Sequence, residues 1–177
     1  MLKRLFGPTR TDQVAATLYE AAVAQARRPE FYLHAAVPDT LDGRFDLLSL
    51  HVFLIFYRLR DAGQQAGAVS QALFDHMFTD MDENLREIGV GDLSVGRKVK
   101  TMVKALMGRI AAYEPGLSDP AVLAEALGRN LYRGKPVAAD AVARVAQYMT
   151  TAVADLAEQG TDSLLIGKVH FPEPVLA

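Results

Sequence analysis

The residues best suited to chemistry are few and scattered. His34, His51, His76 and His170 are the four histidines, and there is no cysteine. Without thiols, structural disulfides, thiolate zinc sites, iron–sulfur clusters and cysteine nucleophiles are excluded. His76, Asp80, Glu83 and Glu87 recur at steps of four, three and four. On a helix that spacing gathers them within about 60°. Nitrogen and carboxylate ligands on one stripe are half of a bundle metal site. A di-iron carboxylate bundle, however, takes Glu-x-x-His from two helices and Glu from two more, and no Glu-x-x-His occurs in the chain. His51 lies in a strongly apolar run and reads as a hydrogen-bonded core histidine. His34 and His170 have no partner at useful spacing. Gly-x-Ser-x-Gly, the phosphate-binding P-loop and the dinucleotide glycine pattern are all missing. Asp80-x-Asp82-Glu83 has no glycine-centred calcium loop around it. The expectation is a protein without catalytic residues, metal or cofactor, with a metal- or haem-binding bundle as a rival.

Charge is the second chemical signal. Residues 71–92 hold six acids (Asp75, Asp80, Asp82, Glu83, Glu87, Asp92) and one base, Arg86. Residues 93–113 hold five bases (Arg97, Lys98, Lys100, Lys104, Arg109) and no acid. Arg97, Lys100 and Lys104 share one helical stripe opposite the apolar residues. Such a stripe suits acidic partner loops, lipid head groups or ribosomal RNA, or else is a solvated face neutralised by the acidic helix beside it. Asp75, Asp82 and Arg86 share a polar edge, forming either an internal ion pair or a partner contact. A third candidate is the loop Pro38-Asp39-Thr40 with Gly43-Arg44, because binding groups concentrate in loops. Its structural alternative is that Asp39 and Thr40 cap a helix beginning near Arg44, with Arg44 bridging to an acidic neighbour.

The elements that must position these groups are helices. The chain has 177 residues, half of them apolar and 23% charged, with a formal net charge of −2. That length buries an ordinary core in one domain, the composition excludes disorder, and the charge balance argues against a protein that coats nucleic acid. Helical periodicity runs from Thr11 to Arg28, where Pro29 stops it, and from Arg44 to Asp61, where apolar residues go all the way round as in the buried centre of a bundle. Residues 31–43 read largely as loop. Two cleaner patterns follow, Leu73 to Ile88 and Val95 to Tyr113. Between them Gly89 suits a left-handed helix end, and Asp92 or Ser94 suits a cap. Ser118-Asp119-Pro120 starts another helix, reaching about Leu131. A last helix spans about Asp140 to Glu158. The fold expected is all-α: a single domain over residues 1–177, a bundle of about six helices with a central buried helix, a flexible start over 1–10 and an extended tail over 161–177. The apolar run Leu47–Tyr57 is too short to span a bilayer. Leu2, Leu5 and Phe6 beside Lys3, Arg4 and Arg10 offer at most weak membrane contact.

Several stretches together resemble the ubiquinol–cytochrome c chaperone family. They are Gln25-Ala26-Arg27, Pro29-x-Phe31-Tyr32, Val37-Pro38-Asp39-Thr40-x-x-Gly43-Arg44-Phe45 and Leu50-His51. Gln71-Ala72-Leu73-Phe74-Asp75, Phe78-x-Asp80-Met81-Asp82, Leu85-Arg86-Glu87-x-Gly89-Val90-Gly91-Asp92-Leu93-Ser94-Val95, Gly108-Arg109 and Ala112-Tyr113 follow in order. Ala36 departs from the glycine expected before the Val-Pro-Asp-Thr loop, and Met107 from a common aromatic. The resemblance implies a non-catalytic factor that binds newly made cytochrome b, with a small co-chaperone and close to the ribosome, and helps it into the bc1 complex. It also implies a bacterial member, cytoplasmic and peripheral to the inner membrane, with no specific DNA partner. Pro38, Asp39, Thr40, Gly43, Arg44, Asp75, Asp82, Arg86, Asp92, Arg97, Lys100 and Lys104 are the candidate contacts. A ribosome- or RNA-associated module using the basic helix 97–109 is the other rival.

Overall fold

A computed structural model describes residues 7–174 of the chain. The expectations for residues 1–6, including membrane contact through Leu2, Leu5 and Phe6, and for 175–177 lie outside the described residues. Eight helical segments appear among those described: α1 (Arg10–Ala26), α2 (Pro29–Leu33), α3 (Leu41–Leu59), α4 (Gly63–Glu87), α5 (Asp92–Gly116), α6 (Pro120–Asn130), α7 (Ala139–Glu158) and α8 (Thr161–Leu164). Six are long and two are single turns, so the expected all-α bundle of about six helices is what forms.

Local chemistry explains most boundaries. Thr9 and Asp12 form a reciprocal capping box at the start of α1. Pro29 stops α1 and also seeds α2 at its first turn, so the segment read as loop contains a helical turn. The next helix begins at Leu41, three residues before Arg44, because Thr40 Oγ1 accepts the Gly43 amide at 3.1 Å. Thr40 therefore caps α3, while Asp39 does not. Gly89 ends α4 at φ +85°, with the Val90 amide returning to Leu85 O at 3.0 Å. The cap of α5 is Gly91, without a side-chain bond. Asp92 already belongs to the helix, and neither it nor Ser94 caps. Asp119 Oδ1 accepts the Ala121 and Val122 amides at 2.9 and 3.3 Å, and Pro120 follows at the first position, as expected.

The core sits around α3, which is buried continuously from Phe45 to Ile55. α1 lies against α3 and α4, α5 against α3, α4 and α6, and α7 against α3 and α6. At the α5–α6 junction a Cβ on Gly116 would come within 2.8 Å of Leu123 Cα, so only glycine permits this approach. Arg58 closes the end of α7, donating to Leu156 O at 2.7 Å and Gln159 O at 2.6 Å. The tail opens with the α8 turn and then runs extended over the bundle. It is fastened by Gln25 Nε2 donating to Pro172 O at 2.9 Å and by the Arg28–Glu173 ion pair.

Candidate partner-binding surfaces

The α2–α3 connection is a rigid loop. The Val37 amide returns to Phe31 O at 3.1 Å, Tyr132 Oη donates to Ala35 O at 2.7 Å and Arg144 Nη1 to His34 O at 2.9 Å. Ala36 sits at φ +51°, which is the physical reason a glycine is expected there. Gly43 packs so tightly that a Cβ would stand 2.0 Å from Pro38 O. Pro38, Thr40 and Gly43 thus shape the loop. Asp39 and Arg44 face solvent as an ion pair at 2.6 Å, and the hydrogen bond from Arg44 holds the Asp39 carboxyl below its ordinary value. Leu33 and Leu41, on either side, are 74% and 71% exposed. A fixed loop presenting two leucines and a charge pair can engage a partner with little ordering cost.

Beneath it lies a charge cluster that was not anticipated. Asp46 is fully buried in α3. Arg133 reaches it from the α6–α7 connection, Nε to Oδ2 at 2.5 Å and Nη2 to Oδ1 at 3.1 Å, and also holds Asp42 at 2.9 Å. Arg109 Nη2 donates to Asp46 Oδ1 from α5 and to Asn130 O at 3.1 Å. Burial pushes the Asp46 carboxyl above its ordinary value, and the Arg133 hydrogen bond with the two guanidinium charges opposes that rise. Arg109 therefore does not belong to the outward basic face expected of residues 97–109. It lies about 160° round the helix from Leu93, pointing into the core. The available signal was Asp46 itself, an acid in a helix otherwise apolar all round, which burial obliges to find cations.

At the α4–α5 hairpin the charges behave differently. Arg86 takes Asp82 at 2.6 Å and also Asp92, joining the end of α4 to the start of α5. Asp75 stays apart from them and accepts from Gln71 Nε2 at 2.9 Å. Asp80 accepts the Tyr19 hydroxyl at 2.6 Å, and His76 stacks edge-on against the same Tyr19 ring at 5.1 Å. His76 and Asp80 are thus turned toward α1 while Glu83 and Glu87 are exposed, and among the described residues no three His, Asp or Glu converge as metal ligands. On α5, Arg97, Lys98, Lys100 and Lys104 are exposed and take part in no ion pair among the described residues. Met77 is core, Met81 and Met102 pack on it, and Met107 is exposed.

His51 is buried as expected. Nδ1 lies 2.9 Å from Leu47 O, and Nε2 lies 3.0 Å from Tyr148 Oη, which also accepts from Gln25 Nε2 at 3.0 Å. Burial pushes its pKa from 6.5 down to about 4. Phe31 and Phe171 stack edge-on to the ring at 5.4 and 5.3 Å, so the tail is seated on this imidazole. Both ring nitrogens are engaged, leaving neither for a haem or metal.

Comparison with known proteins places these surfaces in context. The family model described as ubiquinol-cytochrome C chaperone matches residues 33–171, a stretch holding both the α2–α3 loop and the α4–α5 hairpin. The chain is 26% identical over 163 residues to ubiquinol-cytochrome-c reductase complex assembly factor 1 of Xenopus laevis, covering 88% of this chain and 78% of that one. The assembly factor 1 of Homo sapiens is 26% identical over 159 residues, covering 89% of this chain and 53% of that one. Protein CBP3, mitochondrial, of Saccharomyces cerevisiae is 28% identical over 150 residues, covering 81% and 44%. The chain thus spans about half the length of its human and yeast relatives. A crystal structure of the Cbp3 homolog from Brucella abortus is similar over 98% of both chains, at 31% identity and a TM-score of 0.84.

Proposed function

The chain belongs to the ubiquinol-cytochrome C chaperone family, and from that membership we propose that it is a non-catalytic assembly factor for ubiquinol–cytochrome c reductase that holds newly made cytochrome b on its way into the bc1 complex. The observation that carries this reading is the likeness to a Cbp3 homolog over nearly the whole chain. The client surface is the α2–α3 loop. Pro38, Thr40 and Gly43 fix its shape, Asp39 and Arg44 supply the polar contacts, and Leu33 and Leu41 supply the apolar ones. The cluster of Asp82, Arg86 and Asp92, with Asp75 about two turns earlier on α4, receives a small co-chaperone. The factor works beside the ribosome at the cytoplasmic face of the inner membrane. It does so peripherally. No helix among the described residues is long and apolar enough to cross a bilayer.

Affinity capture of the tagged protein from gently solubilised host membranes, after brief cross-linking, tests this. Unassembled cytochrome b should be enriched by the wild type and by a control, Arg129→Ala on the exposed face of α6, and lost with Arg44→Glu. Undiminished capture by Arg44→Glu would move the client surface off the loop. Absence of cytochrome b from every capture would overturn the proposed client.

A further inference from the structure

The outward face of α5 carries a ridge the client loop does not use. Leu93, Arg97, Lys100, Lys104, Met107 and Ala111 follow one another at steps of four and three, and all six are exposed. At 100° per residue they fall within about 80°, and the eighteen-residue spacing runs about 27 Å along the helix. The basic side chains stand clear, because a Cβ on the flanking Gly96 or Gly108 would meet nothing within 4 Å.

Neighbouring acids do not neutralise the ridge. Asp82 and Asp92 are taken by Arg86, and Asp80 by Tyr19 of α1. Glu83 and Glu87 are exposed on α4, and among the described residues no ion pair joins them to the bases of α5. Glu114, near the far end of α5, pairs with Arg60 at 2.5 Å. At both ends the basic stretch gives way to apolar side chains that nothing among the described residues covers. Leu93 is 96% exposed, with exposed Ile88 at the same turn, and Met107 is exposed one turn past Lys104.

We propose that this ridge of α5 is a docking face for an anionic lipid surface, with Arg97, Lys100 and Lys104 among the head groups and Leu93 and Met107 inserted at the interface. Three bases with no ion-pair partner among the described residues supply the charge complementarity, and the flanking apolar residues supply the insertion. A partner helix fits poorly, because the central positions of the seam are charged where a coiled coil needs apolar side chains. An RNA surface fits poorly too, since the ridge has no aromatic residue for stacking and RNA offers no berth for exposed Leu93 and Met107. This face is separate from the client loop, so the inference stands or falls independently of the proposed client.

Flotation of the full chain with vesicles tests it, comparing phosphatidylcholine alone with phosphatidylcholine containing one third phosphatidylglycerol. The chain should float with the anionic vesicles at low salt and be released by high salt. Lys100→Gln/Lys104→Gln should weaken that binding about 30-fold and Leu93→Ser about tenfold, each keeping the wild-type helical circular dichroism. Arg97→Gln/Lys100→Gln serves as a second variant if the first does not fold. Failure to float with anionic vesicles, equal floating with neutral ones, or undiminished floating of the folded double variants would each overturn the proposal. So would binding of polyuridylate that the double variant loses while vesicles are ignored, which would assign the ridge to RNA.

Discussion

The α2–α3 loop and the α4–α5 hairpin both place glycines, acids and bases in or beside short turns, yet the molecule uses them in opposite ways. In the loop nearly every polar group has an intramolecular task. Thr40 caps α3, Gly43 admits the Pro38 carbonyl, and Asp42 joins Arg133 in the network that reaches buried Asp46. At the hairpin, Arg86 fastens the turn, while Arg97, Lys98, Lys100 and Lys104 of α5 have no ion-pair partner among the described residues and Leu93 stands in solvent. The contrast shows that loop residues with functional character can be the ones building the scaffold. Lysines on an ordinary helix are the ones left for something outside.

The sharpest way to test that contrast is to remove the deepest charge on the loop side. Asp46→Ala leaves Arg109 buried without its carboxylate and releases Arg133, so stability in urea should fall by about 3–5 kcal/mol. Single alanine substitutions at Arg97 or Lys104 should stay within about 0.5 kcal/mol of wild type. Equal losses on the two sides would erase the distinction.

A second test uses pH. His51 titrates near 6.5 in the unfolded chain and near 4 in the folded one. Its contribution is therefore complete above pH 6.5 and is lost as pH falls toward 4, because only the unfolded chain takes up the proton in that interval. The loss amounts to about 3 kcal/mol. The groups facing the ring are the Leu47 carbonyl, the Tyr148 hydroxyl and the Phe31 and Phe171 rings, none of them able to stabilise an imidazolium as a carboxylate would. In urea titrations repeated from pH 7 to pH 4, His51→Gln should flatten the decline relative to wild type. Parallel slopes would mean that the imidazole is not shut away beneath the tail.

Much of the fold was legible because helix punctuation is local chemistry. Gly89, the Asp119–Pro120 start and the all-round apolar character of the Arg44–Asp61 segment each dictate their structure within a few residues. The apolar pattern over Leu73–Ile88 marked only the later part of α4, since the Gly- and Gln-rich stretch from Gly63 to Ser70 commits few apolar residues, Ala66 and Val69 being buried there. The Asp46 cluster was illegible for a different reason. Its members come from α3, α5 and the α6–α7 connection, and no spacing along the chain announces that three distant segments meet. Arg109 illustrates the difficulty. Counted with its basic neighbours it belongs to a charged face, and only the helix register, set by burial of Leu106 and Tyr113, turns it inward.

The smallest effect separates backbone strain from the use made of it. Ala36 and Arg133 are the two non-glycine residues at positive φ among those described, at +51° and +55°. An L-residue in the left-handed region loses roughly 1–2 kcal/mol relative to its usual conformations, and glycine avoids this at the expense of a more disordered unfolded chain. Ala36 has a side chain that contributes nothing visible in return, so Ala36→Gly should raise stability by about 0.5–1 kcal/mol without disturbing client capture. Arg133→Gly relieves the same strain yet removes the cation held against Asp46 and Asp42, and the net change should be a loss. The pair of urea curves thus asks whether the left-handed turn at residue 133 is maintained by its ion pairs. If Arg133→Gly stabilised the chain as Ala36→Gly does, the buried network would be a passenger on the fold rather than one of its fastenings, and the contrast with the open α5 ridge would weaken accordingly.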